Sequence, residues 1–211
     1  MISAQTDVVG SLLRPPYLLQ ARERLARGTI SSTDFKKIED RAVDEAVSLQ
    51  EEADLAVVTD GEMRRLSFQS QLPEAVDGFG SFDLNAFLWG DWRSGDVDDK
   101  SIARPQRLGV VDRLKRRRSL CAEELTYLRS RTERIAKVSL PSPSLWANFW
   151  SPELSGHVYP TLDSFLADVT AILRDEVDEL VRLGATYIQL DAGALAVGRY
   201  RARQRRSSGV C

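Results

Sequence analysis

Along the first sixty residues the apolar positions change period twice. Val8-Val9 is a short apolar stretch closed by Gly10-Ser11, which predicts a first strand ending in a sharp turn. Pro15-Pro16 then suits a helix start, and a helix over residues 17–27 is stopped by Gly28. Ser31 or Ser32 can cap a second helix, in which Phe35, Ile38, Ala42, Val43, Ala46, Val47 and Leu49 recur at three- and four-residue spacing. Residues 55–59 form a run with β-branched residues and predict a second strand, with Asp60-Gly61-Glu62 at its exit.

Residues 66–107 are rich in Gly, Asp and aromatic side chains and weakly periodic. Within them residues 87–92 are expected to pair with residues 108–111 as an inserted antiparallel hairpin, with a loop near residues 94–99. The basic run Lys115-Arg116-Arg117-Arg118 reads as a solvated face or loop. Ser119 then caps a helix to residue 131 that carries Glu123 or Glu124 in its first turn. Residues 137–140 predict a third strand, closed by Pro141 and Pro143. Thr161 opens a strongly amphipathic helix with Leu162, Phe165, Leu166, Val169, Ile172, Leu173, Val177, Leu180 and Val181 as its stripe. Gly184 breaks that helix, and Tyr187-Ile188-Gln189-Leu190-Asp191 follows as a fourth strand. Strands alternating with helices define an α/β class. The reading is a partial (β/α)8 barrel of about four parallel strands, where a closed barrel has eight.

Composition narrows the function classes. At 211 residues and 43% hydrophobic content, the chain can bury one sizeable core. A net charge of −2 argues against a mainly electrostatic partner, so nucleic acid is an unlikely one. Cys121 and Cys211 lie far apart, with neither a disulfide framework nor a CxxC metal motif, as in a reducing cytosol. No basic-then-apolar leader opens the chain, and no apolar run approaches the roughly 20 residues of a membrane span. A cytoplasmic protein without a membrane partner is expected.

The candidate chemistry sits at strand exits. Gly10-Ser11, Asp60-Gly61-Glu62 and Asp191 follow the first, second and fourth strands, and the exits of parallel strands share one edge, where ligands bind. Glu62 and Asp191 can grip an ammonium group through charge-assisted hydrogen bonds. The alternative is that Asp60 and Glu62 merely cap the next helix and Gly10 is a turn glycine.

Val9-Gly10-Ser11-Leu12-Leu13-Arg14-Pro15, Asp60-Gly61-Glu62-Met63-Arg64-Arg65 with Phe68, and Tyr187 through Asp191 together resemble the cobalamin-independent methionine synthase family. The likeness is to short, single-domain relatives of its catalytic C-terminal domain and spans about residues 5–192. It implies a (β/α)8 barrel that moves a methyl group from methyltetrahydropteroylglutamate to homocysteine, with zinc holding the thiol as thiolate. Carried onto this chain, it implies substrate-carboxylate contacts at Val9, Gly10 and Ser11 and ammonium contacts at Glu62 and Asp191. Trp146 resembles the folate-stacking segment, with a core tryptophan as the alternative role.

The departures lie toward the C-terminus. The family continues Asp-(Glu/Ala)-Pro where this chain has Asp191-Ala192-Gly193, and its zinc ligands lie beyond that point. Cys121, Cys211 and the single histidine, His157, are not in ligand spacing, so no metal site is expected from this chain alone. Residues 1–192 read as the N-terminal half of such a barrel and residues 193–211 as an unstructured, Arg-rich tail. Half a barrel leaves open strand edges, which invite a homodimer or a complementing chain. The expected function is a methionine-synthase-like methyltransferase, truncated and inactive alone. The alternative is a non-catalytic remnant that binds a small amino acid or thiol weakly or needs a second chain.

Overall fold

Helix starts and stops follow the capping chemistry of the sequence. The computed structural model describes residues 6–68, 70–81 and 108–192. Helix α1 (Pro16–Ala26) begins on Pro16, and Gly28, at φ +69°, ends the turn after it. Helix α2 (Ser32–Glu52) is capped by Ser31, whose Oγ accepts from the Asp34 amide at 3.0 Å. Its buried face comprises Phe35, Ala42, Val43, Ala46 and Val47, whereas Leu49 is 59% exposed and the buried place at the helix end belongs to Gln50.

Gln50 is buried because it acts as a strand neighbour. Strand β1 (Val57–Val58) is only two residues long. Beyond it, the Gln50 amide donates to the Thr59 carbonyl at 2.8 Å and accepts from the Thr59 amide at 2.9 Å, satisfying backbone groups that no ladder reaches.

Helix α3 (Gln71–Ala75) leads into a hairpin of β2 (Val76–Ser81) and β3 (Leu108–Arg116). Helix α4 (Ala122–Arg131) precedes β4 (Ile135–Pro141). The short α5 (Pro143–Trp146) continues into a 3-10 turn at Ala147–Phe149, followed by α6 (Pro152–Ser155). Helix α7 (Leu162–Arg182) opens on a reciprocal cap between Thr161 and Ser164 and ends before Gly184 at φ +86°. Its stripe is buried at Leu162, Phe165, Val169, Ile172, Leu173 and Leu180, but Val181 is 56% exposed. Strand β5 (Tyr187–Asp191) closes the order.

The described residues fall into two compact units. The first takes those of Met1–Glu74, Ser119–Leu140 and Asp175–Leu190. Its sheet has the order β1-β4-β5, with β1 parallel to β4 through Val57↔Ile135 and Val58↔Ala136. The expected first strand is not a strand. Val8-Val9 pairs with no strand among the described residues, and a side chain tethers it instead: Gln189 Nε2 donates to the Val9 carbonyl at 2.9 Å.

The second unit takes the described residues of Ala75–Arg118, Pro141–Arg174 and Asp191–Cys211. In its hairpin residues 108–111 face Val76–Ser81, with Phe79↔Val110 and Gly80↔Gly109 in register. Residues 87–92 lie outside the described residues. The basic run is partly strand, since Lys115 and Arg116 pair with Asp77 and Val76, while Arg117 reaches the Asp77 carboxylate at 2.9 Å.

Candidate active site

Two segments some fifty residues apart build the pocket of the first unit. Val9 and Gly10 line it from the N-terminal stretch; Asp60, Glu62 and Arg65 line it from the turn after β1. The turn is unusual. Gly61 and Glu62 are consecutive left-handed residues, at φ +66° and +54°, and such a backbone is costly for a glutamate. Several contacts hold it. Asp60 Oδ1 accepts from the Glu62 amide at 2.9 Å, Arg14 donates to the Glu62 carbonyl at 3.2 Å, and the Leu12 amide donates to the Gly61 carbonyl at 3.1 Å. A side chain at Gly61 would meet Met63, Ala46 and Leu12 at 3.1–3.3 Å.

The far wall comes from α4 and β4, through Glu124, Lys137 and Ser139. Arg65 crosses to it and grips Glu124 with two nitrogens, at 3.0 and 2.6 Å, while also reaching Glu62 at 3.4 Å and the Ser139 carbonyl at 2.9 Å. Burial is the largest single influence on Arg65 and opposes its cation, but the charge and hydrogen bonds of Glu124, joined by Cys121 and Asp60, together hold the group well above its ordinary value. Glu62 also accepts from the Ser139 hydroxyl at 3.2 Å. Lys137 has a fully buried side chain that bonds Asp7 at 2.8 Å and Gln189 at 2.9 Å. Gln189 therefore links Lys137 to the Val9 carbonyl.

Of the predicted contacts, Val9, Gly10 and Glu62 line one pocket. Ser11 adjoins it with an exposed side chain. Asp191 ends β5 half-buried, its carbonyl accepting from the Ser142 amide at 3.0 Å. Trp146 is fully buried, 6.0 Å from the Phe79 ring. Asp191 and Trp146 belong to the second unit and are not among the pocket's lining residues.

Glu124 and Lys137 escaped the sequence reading. Glu124 looks like an ordinary first-turn acid, but Lys137 carries a signal, the one charged residue in a mainly apolar strand.

The donor set of the described residues does not fit a zinc site. Among the described residues no three His, Cys, Asp or Glu side chains converge as one needs. Cys121 is fully buried, and burial followed by the Glu124 charge pushes its thiol well up, which keeps it protonated. Among the described residues no helix is long and apolar enough to cross a membrane.

Known proteins resemble this chain over most of its length. The family described as "Cobalamin-independent synthase, Catalytic domain" matches residues 4–209. A methionine synthase of Pyrococcus abyssi is 31% identical over 191 residues, covering 90% of this chain and 52% of the relative. A 5-methyltetrahydropteroyltriglutamate–homocysteine methyltransferase of Nitrobacter winogradskyi is 29% identical over 195 residues, covering 92% of this chain and 23% of that enzyme. The chain thus spans about half the length of the methionine synthase and less of the methyltransferase. Among solved structures, a B12-independent methionine synthase from Shewanella sp. W3-18-1, in complex with selenomethionine, superposes with a TM-score of 0.65 at 20% identity, covering 88% of this chain and 50% of that one. A putative vitamin-B12-independent methionine synthase from Listeria monocytogenes gives 0.63 at 22% identity, covering 90% and 53%. These likenesses support the expected class, an α/β fold of the barrel family, present in part. The chain belongs to the cobalamin-independent methionine synthase family, in its catalytic domain.

Proposed function

We propose that the chain supplies the amino-acid pocket of a methionine-synthase-like S-methyltransferase, whose acceptor is homocysteine and whose donor is a methyltetrahydropteroylglutamate. The observation that carries this reading is the meeting of Val9 and Gly10 with Glu62 at one pocket. The Val9–Ser11 backbone and the Ser11 hydroxyl take the substrate carboxylate. Glu62 takes the ammonium by charge-assisted hydrogen bonds. The strained backbone at Glu62 supports a binding role, since a left-handed glutamate persists only where its surroundings over-determine it. Trp146 is proposed as part of the folate segment, acting from a core position.

Methyl transfer itself is assigned to an assembly with ligands beyond those described here. The zinc on which the family's thiolate depends finds no ligand set among the described residues. Alone, the chain binds and orients an amino acid without turning it over; a homodimer or a complementing chain is the proposed working form. A non-catalytic remnant is the second reading, favoured by the same donor set.

Titrating purified chain with L-homocysteine and L-methionine, with zinc present and absent, tests the proposal. Saturable binding that Glu62→Gln reduces at least tenfold, without methyl transfer, is the expected result. Turnover by the chain alone contradicts the division of labour, and the absence of binding contradicts the pocket.

A further inference from the structure

Asp60 makes none of the proposed substrate contacts, yet it lines the same pocket from a buried position. Its Oδ1 is taken by the Glu62 amide; Oδ2 has no hydrogen-bond partner among the described residues. A buried carboxyl oxygen left unpaired is costly, and in native structures it usually marks a missing ligand or water.

Every neighbouring element contributes a charged or titratable group. Arg14 comes from the segment before α1, Glu62 and Arg65 from the turn of Asp60 itself, Cys121 and Glu124 from the start of α4, and Lys137 from β4. The cations are engaged elsewhere. Arg65 holds Glu124, Lys137 holds Asp7, and Arg14 donates to the Glu62 and Arg65 carbonyls. Three carboxyls therefore face a recess whose nearest cation, Arg65, is committed to two of them.

The recess has about 10 Å³ of free interior. That admits one water-sized group, which a primary ammonium matches and a trimethylammonium does not.

We propose that Asp60 is a proton-exchanging contact for the ligand's primary ammonium: the neutral carboxyl releases its proton to solvent as Oδ2 accepts a hydrogen bond from the incoming N–H. The inference rests on the amino-acid reading above and adds a residue and a linkage to it. The balance is simple. A protonated Asp60 and a cationic ligand become an ion pair and one solvent proton. Burial first, then the Glu124 charge, push the Asp60 carboxyl up to about 7, so the exchange falls near neutrality. Affinity then rises with pH, levels off above about pH 8, and falls toward tenfold per pH unit below about pH 6.

The test is calorimetric titration of the full chain with L-methionine at pH 6, 7 and 8, in buffers of differing ionisation enthalpy. Wild type is expected to release close to one proton per ligand at pH 6, fewer at pH 8, and to bind about tenfold more weakly at pH 6 than at pH 8. Asp60→Asn is expected to release none and to lose most of the pH dependence. Proton release by Asp60→Asn equal to that of wild type overturns the inference and leaves the amino-acid reading standing, provided Glu62→Gln still weakens binding. No L-methionine binding by folded wild type at any pH overturns both. Carboxyl-carbon NMR of wild type gives an answer independent of the variant's folding. Asp60 should titrate near neutrality in the free chain and ionise when L-methionine is added; a carboxyl already ionised at pH 5 contradicts the proposal.

Discussion

The turn from Asp60 to Arg65 and the aromatic cluster around Trp146 are both buried, and they are held by opposite means. In the turn, Glu62, Arg65 and Glu124 are packed as charges, each held by hydrogen bonds. In the cluster, Phe79 meets Phe149 edge-on at 5.4 Å and Trp146 at 6.0 Å, and the Trp146 Nε1 has no hydrogen-bond partner among the described residues. An apolar cluster loses stability in proportion to the area removed. A charged network fails when one member leaves, because the others stay buried without a counter-ion. The first device suits a core and the second a site, where a ligand can enter as the missing member.

Breaking the network should therefore cost most. Arg65→Met leaves Glu62 and Glu124 buried and unpaired, with an expected loss of about 3–5 kcal/mol by urea unfolding. Adding Glu124→Gln should recover a large part of it; a double variant no better than the single one would show that the pair is not coupled.

The next effect is a pH dependence carried by Asp60. A carboxyl raised from 3.8 to about 7 keeps its proton in the folded state and loses it in the unfolded one. Its contribution to stability is therefore present at low pH and lost as pH rises toward about 7. Relative to Asp60→Asn, wild type should lose on the order of 2–4 kcal/mol between pH 4 and pH 8. Parallel stability–pH curves for the two proteins would contradict the assignment.

Gly61→Ala sharpens the backbone half of the comparison. A left-handed alanine whose Cβ crowds Met63, Ala46 and Leu12 should cost roughly 2 kcal/mol, read as a lowered melting temperature together with weakened L-methionine binding.

In the aromatic cluster the smallest change is expected. Trp146→Phe sets a cavity cost against the removal of an N–H that has no partner among the described residues, and should cost under about 2 kcal/mol by the same unfolding assay. A larger loss would mean that the indole nitrogen has a partner in solution.

Legibility in the sequence followed the same divide. Helices α1, α2 and α7 could be read because Pro16, Ser31 with Asp34, Thr161 with Ser164, Gly28 and Gly184 are local signals acting on local backbone. The hairpin partner could not. Val76–Ser81 contains an Asp and two glycines, which lowers its strand signal, yet both glycines are needed there. A Cβ at Gly78 would lie 2.8 Å from the Asp112 and Arg113 carbonyl oxygens, and one at Gly80 would lie 2.7 Å from Val111. The site divides similarly. Gly10 and Glu62 stand in recognisable motifs, whereas Glu124 gains its role only by meeting Arg65 across 59 positions. Asp60 was visible as a strand-exit acid; only its unpaired oxygen sets it apart.

The most direct trial is a crystal structure of the chain grown with L-selenomethionine, whose selenium can be located by anomalous scattering. The account predicts the ligand's nitrogen within hydrogen-bond distance of Glu62 and Asp60, with its carboxylate at Val9–Ser11. Selenium bound at another surface, or an unliganded pocket at saturating ligand, would contradict it.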